Sequence, residues 1–322
     1  MRSAVWIAVV MVAAMGGRTT GQSRDQRDWF LDDVRVPGNL VPGALQKPVV
    51  IAIVDDAFRL THRDLIDLVW TNPREIPGNR IDDDGNGHVD DVHGWDVSDD
   101  DGDVSAPADR TDLYHGTHVA GIIAAMARTA YRDAAPRVVR IMPIKSLADH
   151  SPTTSLLNGY AGIEYAIAAG ADIILCAWGV GQIAPRESRI LQDAADKGIL
   201  VVAAGGNLSE ERDQFPAAHA TVLAVSSTDQ HGHKVVNANF GQFIDLAAPG
   251  VAIRSASSAS DDGDEVRDGT SQATAIAAAA AALVKLQHPS FTPTEIEACL
   301  LSASTPIESP GREFSGKLGA GK

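Results

Sequence analysis

Residues 48–55, PVVIAIVD, form a continuous apolar and β-branched segment that ends in an aspartate. A strand that is apolar on both faces is typical of a parallel sheet covered by helices on both sides. Similar segments recur at 138–144, 172–178, 199–204 and 222–226. Helical patterns lie between them at 118–128, 156–169 and 187–197. The alternation predicts an α/β protein, a three-layer α/β/α fold with a central, mostly parallel, doubly wound sheet.

Composition bounds the number of domains and the kinds of partner. The chain has 322 residues, of which 44% are hydrophobic, and this is enough for one large domain. We expect that domain to occupy residues 48–322, after a polar N-terminal segment at 24–47. The formal charge of −15 argues against nonspecific binding to nucleic acid, which depends on basic patches. Cys176 and Cys299 lack metal or redox spacing, and we expect both to be thiols that pack as small hydrophobes.

Residues 1–23 have the pattern of a secretory signal peptide. Arg2 precedes an apolar segment from Ala4 to Met15, and small residues follow at Gly16 and Gly17. The apolar segment is too short to span a bilayer comfortably, and no later segment outside the predicted core is apolar enough to do so. The pattern predicts a secreted protein without a membrane span. The alternative is a frayed hydrophobic N-terminus.

Polar residues stand near the carboxyl ends of the predicted strands, where active sites of such sheets lie. Asp55 ends the first strand, His115 opens the helix that begins HGTHVAG, and Asn207 follows the strand VVAAGG. Ser271 precedes an alanine-rich segment at 272–287, which predicts a buried helix because alanine is the strongest helix former. Free N–H groups at the start of such a helix favour a developing oxyanion. Taken alone, Ser271 fits an ordinary helix cap equally well.

The chain order Asp, His, Ser resembles that of the subtilisin-like serine proteases, or subtilases. The motifs that carry the resemblance are HGTHVAG at 115–121, AAGGN at 203–207, FPA at 215–217, LAAPG at 246–250 and GTS at 269–271. The resemblance covers residues 49–321. It implies a serine endopeptidase in which Ser271 attacks the substrate, His115 takes its proton and Asp55 orients the imidazole. It also implies that Asn207 donates to the oxyanion, where the alternative is a turn residue.

Two residues compete with the implied catalytic groups. His118 lies one helical turn after His115, and the motif places the catalytic role on the first histidine. Asp56 follows Asp55, and since successive residues of a strand face opposite sides, only one of them can face His115. The family usually has Thr or Ser and then Gly after its aspartate, whereas Asp56 and Ala57 follow here. A second carboxylate so close to Asp55 alters the local electrostatics and the backbone geometry relative to the family pattern.

Departures around the catalytic groups define an alternative function. The residues after Asp55 and after Ser271 differ from the family pattern, which motivates a catalytically inactive subtilase fold that serves as a binding or scaffolding module. All of the catalytic side chains are nevertheless present, which favours the enzyme. An esterase of the α/β-hydrolase type is disfavoured because no GxSxG motif surrounds Ser271.

The resemblance implies that polypeptide substrates bind in extended form, as a strand added between two segments of the enzyme. Residues 153–156 occupy the position of one edge. The other candidate substrate-binding residues are Ala177, Trp178, Gly179 and Gly205. Trp178 fits an apolar subsite and an ordinary core position equally well. We expect a monomer.

Residues 81–91, IDDDGNGHVDD, have the spacing of a calcium-binding loop. The candidate ligands are Asp82, Asp84, Asn86, His88 and Asp90. The twelfth position, which usually supplies a bidentate acid, is His93, so Asp91 or a distant residue would have to complete the shell. Carboxylates crowded on a Gly-bent loop repel one another unless a cation is present. We therefore favour a structural Ca²⁺ over a merely solvated acidic loop.

Both ends of the chain depart from the family pattern. Secreted subtilases usually carry a pro-domain that assists folding, and some 20 residues separate the predicted signal peptide from the catalytic start. The segment GKLGAGK at 316–322 resembles the approach to the family's last helix. The catalytic domain would then fold unaided, use a chaperone, or come from a lineage that lost the pro-domain step, and the missing last helix is consistent with truncation at the C-terminus.

Overall fold

A seven-stranded sheet forms the centre of the computed structural model, which describes residues 28–41, 47–307 and 314–322. The strands are β1 (Val49–Asp55), β2 (Trp95–Asp96), β3 (Val139–Lys145), β4 (Ile173–Cys176), β5 (Leu200–Ala204), β6 (Val222–Thr228) and β7 (Leu246–Pro249). Their order across the sheet is β2-β3-β1-β4-β5-β6-β7, and every neighbouring pair is parallel. The five predicted strands are present, and the short edge strands β2 and β7 are additions.

Helices connect and cover the strands. They are α1 (Trp29–Asp33), α2 (His115–Tyr131), α3 (Ala135–Val138), α4 (Gly159–Ala169), α5 (Pro185–Asp196), α6 (Thr270–Gln287) and α7 (Pro293–Ala303), with a 3₁₀ turn at Arg132–Ala134. An antiparallel hairpin of β8 (Ile253–Ala256) and β9 (Asp264–Arg267) leads into α6. The hairpin was not predicted, because its four-residue strands are short and polar.

The central strand β1 shows why the fold has three layers. All of its residues are buried. Ile51 and Ile53 pack in the core cluster that contains α2 and α6, whereas Ala52 and Val54 pack in the cluster on the other face, with α4 and α5. Alternate residues of a strand point to opposite faces, so a fully apolar strand needs cover on both. The predicted α/β/α architecture is confirmed.

Helix α6 runs through the core on one face of the sheet. Most of its side chains are buried, and the alanines among them let it pack closely on α2 and on the strands β4 to β7. The N-terminal end of this helix therefore has a fixed position relative to the carboxyl ends of the strands. Ser271 lies in its first turn.

Three further predictions concern a membrane span, the N-terminal segments and the cysteines. In the part of the chain that the structure describes, no helix is long and apolar enough to cross a membrane. The predicted signal peptide at 1–23 and part of the 24–47 segment lie outside the described residues. Cys176 and Cys299 are both free thiols; the first is buried and the second half-buried.

Candidate active site

The carboxyl end of β1 meets the first turn of α2. His115 Nδ1 lies 2.8 and 2.9 Å from the two carboxylate oxygens of Asp55. Asp55 is buried and also accepts a hydrogen bond of 2.8 Å from the backbone N–H of Asp56. A carboxylate on Nδ1 fixes the ring and leaves Nε2 as the nitrogen that can exchange a proton with a reacting group.

Neighbouring charges raise the pKa of His115 to about 9. Burial alone would lower this pKa, but the charge and hydrogen bond of Asp55 and the charge of Asp56 outweigh burial, while Arg267 opposes them. A general base must be neutral to accept a proton. His115 therefore reaches its basic form at alkaline pH.

The rival histidine, His118, has different surroundings. It is fully buried, and burial followed by the charge of His115 lowers its pKa to about 4. Its Nδ1 lies 3.4 Å from Nε2 of Gln272, and its backbone carbonyl accepts a hydrogen bond of 2.6 Å from Ser255. Its side chain makes no ion pair with a carboxylate of the described residues. These contacts suit a neutral residue of the interior.

Asp56, the rival aspartate, faces the backbone of α2. Its carboxylate accepts hydrogen bonds from the N–H groups of Tyr114, His115 and Gly116 at 3.1, 3.0 and 2.8 Å. It also accepts one of 2.6 Å from Ala57. Asp55 and Asp56 thus hold the same region of α2 in two ways, the first through the imidazole and the second through the backbone.

Ser271 lies at the start of α6, after Gly269, whose φ of 149° favours glycine. The serine is 7% exposed, and its hydroxyl donates a hydrogen bond of 2.9 Å to the backbone carbonyl of Ala177. Among the described residues no hydrogen bond joins it to His115. Ala177 lines the same cleft as Asp55 and His115. A serine hydroxyl changes partner by rotation about χ1, and catalytic hydrogen bonds often form only with substrate.

Asn207 lies against the N-terminal end of α6. Its Oδ1 accepts a hydrogen bond of 2.9 Å from the backbone N–H of Thr270, the residue before Ser271. The hydroxyl of Thr270 in turn accepts a bond of 3.2 Å from Gly206. Within the described ranges, Nδ2 of Asn207 and the backbone N–H of Ser271 have no hydrogen-bond partner. Two free donors therefore stand close to the serine, as an oxyanion site requires.

A cleft of about 530 Å³ opens beside Asp55 and His115, and Ser271 and Asn207 are not among its lining residues. Its lining comprises residues 154–157 and 177–180 together with Asp55, Asp56, Asp112, Tyr114 and His115. Most of the predicted edge at 153–156 and the predicted residues 177–179 thus line one cleft. Gly205 does not line it, because its N–H donates to Val225 at 2.8 Å and its carbonyl accepts from Asn239 at 3.0 Å.

Trp178 combines both of the roles considered for it. The residue lines the cleft, while its ring packs on the start of α4. The ring makes an edge contact with Tyr160 at 5.4 Å, and a Cβ on Gly159 would lie 2.4 Å from it. The indole N–H of Trp178 and the hydroxyl of Tyr160 are buried without a hydrogen-bond partner. The ring is therefore positioned by apolar contact, and it shapes one side of the cleft.

Three carboxylates meet in the acidic loop, and one of them was missed in the sequence. One oxygen each of Glu75, Asp82 and Asp84 lie within 4.8 Å of one another. Glu75 is 7% exposed, and its Oε1 accepts hydrogen bonds from the N–H groups of Asp83 and Asp84 at 3.0 and 3.2 Å. Its Oε2 is buried without a partner. Glu75 lies outside the loop spacing, so no local pattern identifies it.

Three of the predicted metal ligands, Asn86, His88 and Asp90, are not members of this carboxylate group. Asp90 accepts hydrogen bonds of 3.2 and 2.9 Å from the backbone N–H groups of residues 79–80. The ring of His88 packs against Trp95 and Tyr165, at centroid distances of 4.6 and 5.1 Å. Asp90 stabilises a turn, and the side chain of His88 belongs to an aromatic cluster.

Asn86 and Asp91 hold the loop together. Asn86 accepts from the N–H of His88 at 2.7 Å and donates to Asp91 at 2.9 Å. Asp91 is fully buried and also accepts from Asn72 at 2.7 Å and from the hydroxyl of Tyr165 at 2.6 Å. Because side-chain donors surround Asp91, it anchors the loop and does not join the three-carboxylate group.

A second group of three carboxylates, Asp96, Asp99 and Asp149, already surrounds a cation. The ammonium of Lys145 lies 2.6 Å from Asp96 and 3.8 Å from Asp99, and it also contacts Asp149. Lys145 is 1% exposed. A buried ammonium with such partners stays charged and offsets part of the negative charge of the group.

Comparison with known proteins gives the same family over nearly the whole chain. The model of the subtilase family matches residues 46–321. Subtilisin Savinase of Lederbergia lenta is 28% identical over 292 residues, which is 91% of this chain and 96% of that protein. The thermostable alkaline protease of Halalkalibacterium halodurans is 32% identical over 220 residues, or 68% of this chain. The matched region spans 60% of that relative's length.

A solved structure shows the same fold. The crystal structure of a cold adapted subtilisin-like serine proteinase aligns with a TM-score of 0.65 at 23% identity, and the alignment covers 92% of this chain and 97% of that one. The family match extends from before β1 to residue 321 and includes all of the residues that line the cleft. On this ground the chain belongs to the subtilase family of serine endopeptidases.

Proposed function

We propose that this chain is a secreted serine endopeptidase that uses Ser271 as nucleophile, His115 as general base and Asp55 as the residue that orients the imidazole. The observation that carries the proposal is the bond of His115 Nδ1 to the buried carboxylate of Asp55, at a cleft that Ala177, the hydrogen-bond partner of Ser271, also lines. This arrangement supports proton transfer from the serine to Nε2.

The chemistry follows from these contacts. The hydroxyl of Ser271 rotates away from the carbonyl of Ala177 and attacks the peptide carbonyl carbon while Nε2 of His115 takes its proton. The oxyanion of the tetrahedral intermediate accepts hydrogen bonds from the Ser271 N–H and from Nδ2 of Asn207. His115 then protonates the leaving amine, and water hydrolyses the acyl-enzyme by the same route.

The substrate is a polypeptide that binds in extended form. Residues 154–157 and 177–180 offer two edges between which an extended segment can lie, and the backbone groups of such edges recognise any sequence. Side-chain selection is then left to the walls of the cleft, where Trp178 is the largest lining residue.

Calcium stabilises the acidic loop in this proposal. Glu75, Asp82 and Asp84 would hold the ion, since oxygen ligands suit Ca²⁺ and the buried Oε2 of Glu75 otherwise has no partner. When bound, the ion supplies positive charge to the loop and has no part in the peptide chemistry. Backbone carbonyls and water would complete the shell.

Export is inferred from the sequence of residues 1–23. An arginine, a short apolar segment and small residues occur there in the order of a signal peptide. The calcium proposal is consistent with this location, because extracellular calcium is abundant enough to fill sites of modest affinity.

Labelling with a fluorophosphonate probe tests the proposed nucleophile. We expect the native chain to be labelled and the Ser271→Ala variant to remain unlabelled. Ser302→Ala, which removes an exposed serine on α7, serves as the matched control and should be labelled like the native chain. Absence of labelling in a folded native chain would contradict the proposal and favour the inactive binding module. Peptide and ester substrates then separate a protease from an esterase.

A further inference from the structure

The carboxylate of Asp56 accepts hydrogen bonds from four backbone N–H groups. Oδ1 takes those of Ala57 and Gly116, and Oδ2 takes those of Tyr114 and His115. Asp56 is 6% exposed. A buried carboxylate with this many N–H partners is a strong anchor, because hydrogen bonds to a charged acceptor are stronger than those between neutral groups.

The helix that carries His115 has no cap from its own sequence. Tyr114 occupies the N-cap position of α2 and makes no capping hydrogen bond with its side chain. The first N–H groups of a helix need acceptors from elsewhere. Asp56 supplies them, although Gly116 lies 60 residues further along the chain. The negative charge also interacts favourably with the helix dipole.

Close packing of the 56–58 turn on α2 makes this capping possible. A Cβ on Gly116 would lie 2.5 Å from the carbonyl oxygen of Ala57 and 2.9 Å from the ring of Phe58. Only glycine allows the turn to approach the helix so closely. The approach brings both Asp55 and Asp56 to the first turn of α2.

We propose that Asp56 is a positioning residue for the protease reaction: it caps α2 from the end of β1 and so fixes the backbone of His115 while Asp55 fixes its imidazole. This inference rests on the proposed function. A subtilase whose aspartate is followed by Thr or Ser has a neutral hydroxyl at this position. Here an anion takes the place of that hydroxyl, and the anion also acts on the charge of His115.

The charged groups around Asp56 determine how the anion acts. Burial, followed by the charge of Asp55, raises the pKa of Asp56 to about 6, while the charge of His115 opposes them. The charge of Asp56 in turn raises the pKa of His115, against the charge of Arg267 on β9. Tyr114 and Asp112 line the same cleft. Above pH 6 the anion thus favours the imidazolium, while its hydrogen bonds hold the helix.

The test combines NMR titration with kinetics. The pKa of His115 is measured in the Ser271→Ala chain, with and without Asp56→Asn, so that this arm needs no peptidase activity. The kcat and KM of Asp56→Asn and Asp56→Ala are measured in the active chain. Asp133→Asn removes the same charge from an exposed residue after the far end of α2 and is the matched control.

The expected results separate capping from bulk stability. Asp56→Asn should lower the pKa of His115 and move the alkaline rise of activity to lower pH, because the anion is lost. Asp56→Ala should lower kcat about 10- to 100-fold, since small displacements of a catalytic group have effects of this size. Asp133→Asn should change neither quantity. A pKa of His115 in Asp56→Asn equal to that in the control would overturn the proposal even if the native chain does not cleave peptides. In an active chain, kcat values in both Asp56 variants equal to that of the control would overturn it as well.

Discussion

The cleft and the acidic loop both bury carboxylates, but they balance the negative charge in different ways. In the cleft, Asp55 faces the imidazole of His115, and Asp56 faces backbone N–H groups. In the loop, Oε2 of Glu75 is buried with no donor, and Asp82 and Asp84 lie close to it. In the cleft both carboxylates thus face donors of the protein, whereas in the loop one buried carboxylate oxygen, Oε2 of Glu75, has none among the described residues.

The contrast extends to the residues that carry the charge. In the group around Lys145, one buried ammonium contacts three carboxylates and offsets part of their charge. Among the described residues no lysine forms an ion pair with Glu75, and Arg74 contacts Asp84 of the same group at 2.9 Å. In these three arrangements, the role of a buried carboxylate follows from the groups that donate hydrogen bonds or positive charge to it. The buried Oε2 of Glu75 lacks a donor, and this is the basis of the proposed calcium site.

The largest effect should come from removing a donor in the cleft. We expect Asn207→Ala to lower kcat about 10²- to 10³-fold with little change in KM, a size known from subtilisin itself, because the donor acts on the transition state. The same loss should be measured with and without a calcium chelator. If the loss of kcat in Asn207→Ala depended on calcium, the cleft would not be independent of the acidic loop.

The protonation of His115 gives the next effect. Its pKa of about 9 lies above the ordinary value of 6.5, so the neutral base is lost as the pH falls below 9. We expect kcat/KM to rise with pH through this value, with activity at pH 7 about 100-fold below the plateau. Initial rates from pH 6 to 11 on an uncharged peptide check this. A kcat/KM profile with its midpoint near pH 6.5 would show that Asp55 and Asp56 do not raise the pKa of His115.

Calcium should stabilise the chain through Glu75. A calcium concentration of 100 times the dissociation constant adds about 2.7 kcal/mol to the free energy of unfolding, and Glu75→Gln should remove most of this gain. Thermal unfolding with and without a chelator provides the measurement.

Asp90→Asn is the matched control for the loop. Asp90 fits the sequence spacing, but its carboxylate holds a turn. We expect this variant to lose the same stability, about 1 kcal/mol, with and without calcium. A calcium response that survives in Glu75→Gln and disappears in Asp90→Asn would restore the ligand set predicted from the sequence.

The smallest effect should come from Trp178, which shapes the cleft without carrying charge. We expect Trp178→Ala to widen the cleft beside Gly159 and to raise KM for peptides with large apolar side chains about 10-fold, as lost apolar contact of about 1 to 3 kcal/mol implies. Peptide panels with varied side chains measure the change. Unchanged selectivity would assign the ring to packing on α4 alone.

Local patterns were sufficient where the structural signal is local. The apolar strands and the alanine-rich helix can be recognised from their composition, because elements that are buried on both faces have few polar positions. The motifs around His115 and Ser271 similarly lie within a few residues of the groups they identify. Glu75, in contrast, lies outside the spacing of the loop and meets its partners across a turn. The backbone groups of Gly205 form hydrogen bonds with Val225 and Asn239, and this could not be predicted from its motif.

By itself, the sequence determined the layered sheet, the family and the candidate catalytic residues, since each depends on neighbours along the chain. Only the tertiary structure decided what each carboxylate contacts. In the sequence, Asp56 was a rival of Asp55 for the catalytic role. In the structure it accepts hydrogen bonds from the first N–H groups of α2, because the turn after β1 packs on Gly116. The sequence shows which residues are acidic, but the groups that donate hydrogen bonds to them come from distant segments that folding brings together.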